Sequence, residues 1–325
     1  MRLQSWNLLT VFLFLSTLTA SPALLLAQSD NNEKSSLVVD LDIDQLRASE
    51  LMNAIDFKNG IVAQFLPFDM EKVKRIYGTA QSPKAIQKLT EMETGKPIPF
   101  NFLVQVQYKD EQSAKAMLDS MSDQGSKEVE RGGKKFITPE DGEAPPNLLA
   151  HVGQNNRFEV GTEGYILKDT RDFLSSSLAE IWRKNSKSNA VRLSIDIESN
   201  RKFINEALKV ARKEAPASMQ GFLTMFDDMA TLSLSLDLDS GNLLTLVATG
   251  KDENGTRNLN ASLGGLLGLG RMFGVQMAAN PDMDEQSKAT LKEILDSLKT
   301  STSGNTVTIK VPRPKGFEEM IKKMQ

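Results

Sequence analysis

"FNFLVQVQYKDE" occupies residues 100–111. Phe102, Val104, Val106 and Tyr108 alternate with Leu103, Gln105 and Gln107, and this period of two predicts a half-buried strand. Asp110 and Glu111 then open a helical pattern that runs through Met117 and Met121. Further along, "NLLTLVATGKDE" (242–253) repeats the passage at an offset of 142. Leu244, Leu246, Ala248 and Gly250 fall on the same alternate set, and Leu259 and Leu263 fall on Met117 and Met121. A slip of one residue would turn a strand inside out, so agreement in register through strand and helix is informative. The shared "KDE" reads as a helix start. Asp110 and Asp252 can accept from first-turn amides, and Glu111 and Glu253 suit the positive end of the helix dipole.

A second pair of stretches extends the echo. "LVVDLDI" (37–43) and "VRLSIDI" (191–197) both alternate, and an offset of 154 puts Asp42 on Asp196, Asp44 on Glu198 and Arg47 on Arg201. "FDM" (68–70) and "FDDM" (226–229) each precede another alternating run. Strands are expected near 37–43, 71–77, 100–108 and 127–137, then near 191–197, 230–238, 242–250 and 304–311. Helices are expected near 45–56 and 111–122, then near 199–213, 253–267 and 284–299. The expected fold class is α+β: a tandem duplication of a β-α-β-β-α-β, ferredoxin-like unit, with antiparallel sheets and helices packed on one face. Residues 37–183 form the first repeat domain, 184–189 the linker and 190–325 the second domain. Within the first, "LLAHV" (148–152), "RFEVG" (157–161) and "GYILK" (164–168) read as short strands and 169–183 as a helix. "GFEEMIKKMQ" (316–325) has a helical apolar face that would dock on the second domain.

The first 27 residues carry one charge, Arg2, an apolar run and a small-residue exit at Ala27. That is the pattern of a secretory signal peptide, cleaved to leave an N-terminus near Gln28 and a disordered segment at 28–36. Localisation follows as exported, periplasmic or extracellular, with no membrane span after removal. There are no cysteines, so disulfides, thiolate metal sites and a lipid-bearing cysteine are excluded. The formal net charge of −3 gives no reason to expect a nucleic-acid partner.

No constellation reads as catalytic. His151 is the sole histidine and sits in a predicted strand, where a structural role fits better than zinc ligation or a Ser-His-Asp triad. "SNRK" (199–202) matches S-x-x-K without its companion motifs, and Ser199 reads as a helix cap. "DLDIDQ" (40–45), "DLDSG" (237–241) and "DMDEQSKATLKE" (282–293) are incomplete calcium loops, and Pro281 with Asp282 reads as a helix start. The methionines cluster around 219–229 and 272–283, where they suit irregular apolar packing. No cofactor is expected.

One stretch stands apart. "GGLLGLGRMFG" (264–274) interleaves five glycines with large apolar residues and has no counterpart after the first "KDE" helix. Glycines weaken a helix and exposed apolar residues favour a partner, so Gly264, Leu267, Gly268, Gly270, Met272 and Phe273 are expected to form a mobile apolar binding lid. The signal segment, the "DLDIDQLRASELMNAI" start and the paired junctions together resemble the exported bacterial proteins of unknown function built from a duplicated α+β unit. The resemblance spans most of the chain and implies no catalytic residues. The function expected is that of a non-enzymatic cell-envelope protein that binds another envelope protein or an apolar small molecule. The alternative is a carboxylate-dependent hydrolase.

Overall fold

The computed structural model describes residues 34–49, 69–81, 96–98, 100–123, 125–140, 145–168, 174–184, 189–214, 217–238, 241–279, 281 and 284–315. The signal segment, most of the expected 28–36 segment, the 185–188 stretch of the linker and the 316–325 helix lie outside the described residues.

Among the described residues twelve strands form one sheet, all paired antiparallel. Seven come from the first half of the chain: β1 (Leu37–Asp42), β2 (Val73–Ala80), β3 (Phe102–Tyr108), β4 (Ser126–Arg131), β5 (Lys134–Pro139), β6 (Leu148–Gly153) and β7 (Arg157–Thr162). Five come from the second: β8 (Val191–Asp196), β9 (Met229–Leu236), β10 (Asn242–Gly250), β11 (Lys299–Ser303) and β12 (Thr306–Pro312). Their order is β11-β12-β10-β9-β8-β1-β2-β3-β7-β6-β5-β4, so the halves meet where β1 pairs with β8. The helices are α1 (Ile43–Ala48), α2 (Glu111–Ser122), α3 (Glu163–Ile166), α4 (Ser176–Lys184), α5 (Arg201–Glu214), α6 (Ala217–Asp228), α7 (Glu253–Ala278) and α8 (Glu285–Ser297).

The echoes seen in the sequence recur as contacts. The offset of 154 carries Val39 onto Leu193, and these two residues face each other across the seam. Asp42 N donates to Ala190 O, and Asp196 N donates to Ser36 O, each at 2.8 Å. On either side of the seam the next two strands pair with the same register, Ala80 with Phe102 and Leu236 with Leu244. Both pairs also carry a bulge at the same place: Val73 faces Tyr108 while Arg75 faces Gln107, and Met229 faces Gly250 while Thr231 faces Thr249. A bulge is a local, costly irregularity, so its recurrence at matched positions is more telling than matched strands alone. The last strand residue is tied to a hairpin asparagine in both halves, Tyr108 N to Asn156 O at 3.0 Å and Gly250 N to Asn305 O at 2.8 Å.

Helix starts repeat too. Asp110 accepts from Ser113 N at 2.7 Å and Asp252 from Gly255 N at 2.6 Å, as the "KDE" reading requires. Asp42 caps the first turn of α1 through Gln45 N at 3.0 Å, and Asp196 accepts from Ser199 N at 2.9 Å. Asp196 is therefore the cap, and Ser199 is the residue capped. The carboxylate at the strand end reaches the free amide that a hydroxyl inside the turn cannot. In the same way the start of α8 is capped by Asp284, which accepts from Gln286 N and Ser287 N at 3.1 Å. Helix α8 thus begins at Glu285, four residues after Pro281, where the sequence reading put its start.

The core divides by sheet face. Val39, Ile76, Phe102, Val104 and Val106 pack with Met117 and Met121 of α2. Ala248, Val307 and Ile309 pack with Ile204 and Leu208 of α5, Leu223 and Phe226 of α6, and Leu259 and Leu263 of α7. Residues of the opposite parity also pack. Val38, Tyr77 and Val247 meet Leu178 and Ile181 of α4, and Leu103 and Leu149 meet Tyr165 and Ile166 of α3.

Several expectations change. The ferredoxin-like order does not form, because a split β-α-β unit needs a strand inserted between parallel neighbours. Here β1 takes β2 on one side and the other half's β8 on the other, which leaves no such slot. Helices cover both faces of the sheet rather than one, since the 174–184 segment crosses the second face. The run 127–137 is two strands, turned at Gly132 and Gly133, both with positive φ. "GYILK" belongs mainly to α3, where Tyr165 and Ile166 are buried. Helix α6 and strand β11 have no counterpart among the expected elements, and α7 runs on to Ala278 instead of ending near 267.

Candidate functional site

The second sheet face is polar at its centre. Asp40 and Arg192 sit directly opposite each other across the seam, and both side chains are buried. Arg192 donates to Asp40 Oδ2. Arg75, from β2, holds the same carboxylate with two bonds, Nε to Oδ1 at 2.6 Å and Nη2 to Oδ2 at 2.7 Å. Burying an ionised carboxylate is tolerable only with such partners. The hydrogen bond from Arg75 to Asp40 leads the causes that raise the arginine's pKa, against burial.

Over this cluster lies a cavity of about 570 Å³. Its floor comes from Asp40, Arg75, Tyr77, Gln105 and Arg192, on four adjacent strands. Its roof is the 174–183 segment, with Leu174, Ala179, Trp182 and Arg183. The guanidinium carbon of Arg192 sits 4.0 Å from the centre of the Trp182 ring, close enough for a cation–π contact. Burial, with a further push from Asp40, raises the Tyr77 phenol to about 12, so it stays protonated and can donate. The roof is anchored at its start. Ser175 and Ser177 donate to Asp196 Oδ2 at 2.5 and 2.6 Å, and Leu178 is fully buried below.

Next to the cleft, Gln105 donates to Glu159 Oε1 at 2.9 Å, and His151 Nε2 lies 3.0 Å from Glu159 Oε2. Burial opposes ionisation of Glu159, but the hydrogen bond and charge of His151, the charge of Arg157 and the Gln105 amide outweigh it and lower its pKa. His151 is buried and stands edge-on to Phe136 at 4.7 Å, a setting for packing. Among the described residues no three His, Asp or Glu side chains group as a metal site.

The glycine stretch lies on α7. Leu267 is partly buried against the second-half core, while Gly264, Gly268, Gly270, Met272 and Phe273 are exposed. A Cβ added at Gly264, Gly265, Gly268 or Gly270 would meet nothing within 4 Å, whereas one at Gly274 would lie 2.3 Å from Leu295 Cδ1 of α8. Arg271 pins the helix by donating to Leu295 O at 3.0 Å and to Leu298 O. Away from these contacts the helix presents Leu269, Met272, Phe273, Val275 and Met277 to solvent, Phe273 at 60% and Val275 at 66% exposure. The six residues singled out in the sequence thus lie along one regular helix and share no cavity with the polar cleft.

The cleft was not read from sequence. The available signal was a charged residue inside each of two half-buried strands, Asp40 in "LVVDLDI" and Arg192 in "VRLSIDI". Opposite charges at such positions invite pairing, but only the seam tells which strands are neighbours.

No family model matches the chain, and no curated protein matches it. Solved structures of TP0453, from Treponema, are similar to it at 10% identity. Crystal form I covers 90% of this chain and 94% of that one with a TM-score of 0.35. Crystal form III covers 90% and 96% with a TM-score of 0.38, and crystal form IV 89% and 94% with 0.38. Likeness at these scores leaves the site to be argued from its own geometry.

Proposed function

We propose that this is an exported, non-enzymatic protein of the cell envelope, built from two copies of one α+β unit, which acts by binding another envelope protein through the exposed end of α7. The observation that carries the reading is the run of Leu269, Met272, Phe273, Val275 and Met277, all large, apolar and exposed on the last turns of one helix. Scattered apolar residues at a surface need no explanation, but a contiguous set does. A helix side is convex, while small-molecule sites are concave, so a protein partner fits this surface better than an apolar ligand. Open space around Gly264, Gly268 and Gly270 lets a partner approach the helix backbone closely. The hydrolase alternative needs two carboxylates facing a common space. The cleft beneath α4 offers Asp40 alone, already held by two arginines.

The test is site-specific photocrosslinking in cells that express the full chain. A photoreactive residue at Phe273 should yield a discrete crosslinked protein, and one at Asp119 on α2 should not. Equal crosslinking at both positions, or crosslinking at 273 to lipid alone, would refute the protein-partner reading.

A further inference from the structure

We infer that the cleft beneath α4 is a binding site for a small organic oxyanion, a carboxylate or phosphate whose apolar body lies against Trp182. The inference stands apart from the α7 contact and rests on an imbalance of charge and donors. Three guanidiniums, of Arg75, Arg183 and Arg192, line the cavity with one carboxylate, Asp40. Asp42 acts on Arg75 by charge but is spent on capping α1. Glu159 borders Gln105 but answers to His151 and Arg157. Two arginines sharing a single buried carboxylate leave a net positive charge, and around the buried Arg192 water screens it poorly.

The donors are also in surplus. The Arg192 side chain is 6% exposed, yet its Nε has no hydrogen-bond partner among the described residues. Buried donors left unpaired are rare and costly in native proteins. Tyr77 adds a phenol that remains protonated well above neutral pH. Guanidinium forks suit the planar geometry of carboxylate and phosphate. The remaining walls, Leu174, Ala179 and the Trp182 ring, would hold an apolar or aromatic body. A volume of about 570 Å³ lies within the usual range for small-ligand sites.

Isothermal titration calorimetry on the full-length mature protein tests this with four probes: phenyl phosphate, benzoate, inorganic phosphate and neutral benzamide. Phenyl phosphate or benzoate should bind once per chain, and benzamide should bind at least about tenfold more weakly. Tyr77→Phe and Trp182→Leu should each weaken binding of the aromatic anion by about five- to twentyfold, without change in the far-ultraviolet circular dichroism spectrum. Arg192→Gln should abolish binding. Should that variant misfold, the Tyr77 and Trp182 variants decide alone. The inference is overturned if neither aromatic anion binds at millimolar concentration or if benzamide binds equally well. It is also overturned if inorganic phosphate matches phenyl phosphate and Trp182→Leu has no effect.

Discussion

The first arginine of α1 and the first of α5 perform the same task in the two halves. Arg47 pairs with Asp44 at 2.6 Å and donates to Met70 O and Val73 O at 2.6 and 2.8 Å. Arg201 pairs with Glu198 and donates to Phe226 O and Met229 O. In both cases one guanidinium fastens a helix to the chain entering the next strand, from the last turn of α1 and from the first residue of α5. The aspartates just before them have diverged. Asp42 serves as a helix cap, whereas Asp196 is fully buried and also receives the hydroxyls of Ser175, Ser177 and Ser199. The helices after the "KDE" junctions differ more, with 12 residues in α2 and 26 in α7. What the halves share is the bonding that sets strand order and register. What they do not share includes the α4 segment, which roofs the cleft, and the far end of α7, which carries the exposed apolar face.

That division can be broken by experiment. The largest effect is expected at the shared clamps. Arg47→Met and Arg201→Met each remove hydrogen bonds from a charged donor to two carbonyls, and each should cost about 2–4 kcal/mol in urea unfolding. Similar losses support one device used twice; a silent change at either position would show that the two contacts are alike in geometry only.

A smaller effect separates the glycines of α7. Gly274→Ala drives a methyl into Leu295 and should destabilise by about 1–2 kcal/mol. Gly268→Ala and Gly270→Ala meet open space and should each stabilise by about 0.5–1 kcal/mol, through helix propensity alone. Opposite signs in one helix would separate its packed side, at Gly274 against α8, from its open side.

Much of this frame was legible in the sequence. The period-two runs located the β3 and β10 strands, and the Asp of each "KDE" fixed the starts of α2 and α7, because both signals are local. The "FDM" and "FDDM" echo was visible too, but the arginine acceptors match in a different register, Met70 O with Phe226 O and Val73 O with Met229 O, so the echoed letters do not mark equivalent positions. Strand order was not legible. The β1–β8 pairing joins residues more than 150 positions apart, as Asp40 and Arg192 show, and nothing in either strand names its partner. Without that pairing the element count suggested a ferredoxin-like order. The cleft was missed for the same reason, since its floor exists only once β8, β1, β2 and β3 lie side by side. The glycine stretch was recognised as unusual, but local composition could not reveal that it continues as regular helix to Ala278.

The claim most open to test is that the exposed end of α7 lies outside the frame and is kept for a partner. Urea unfolding of a Met272→Gln, Phe273→Gln double variant addresses it directly, because glutamine matches methionine in helix propensity and removes only the apolar surface. The account predicts a stability within about 0.5 kcal/mol of the parent, as for surface changes that break no packing. A loss of about 3 kcal/mol or more, the scale of a truncated core side chain, would contradict it and make these residues part of the fold.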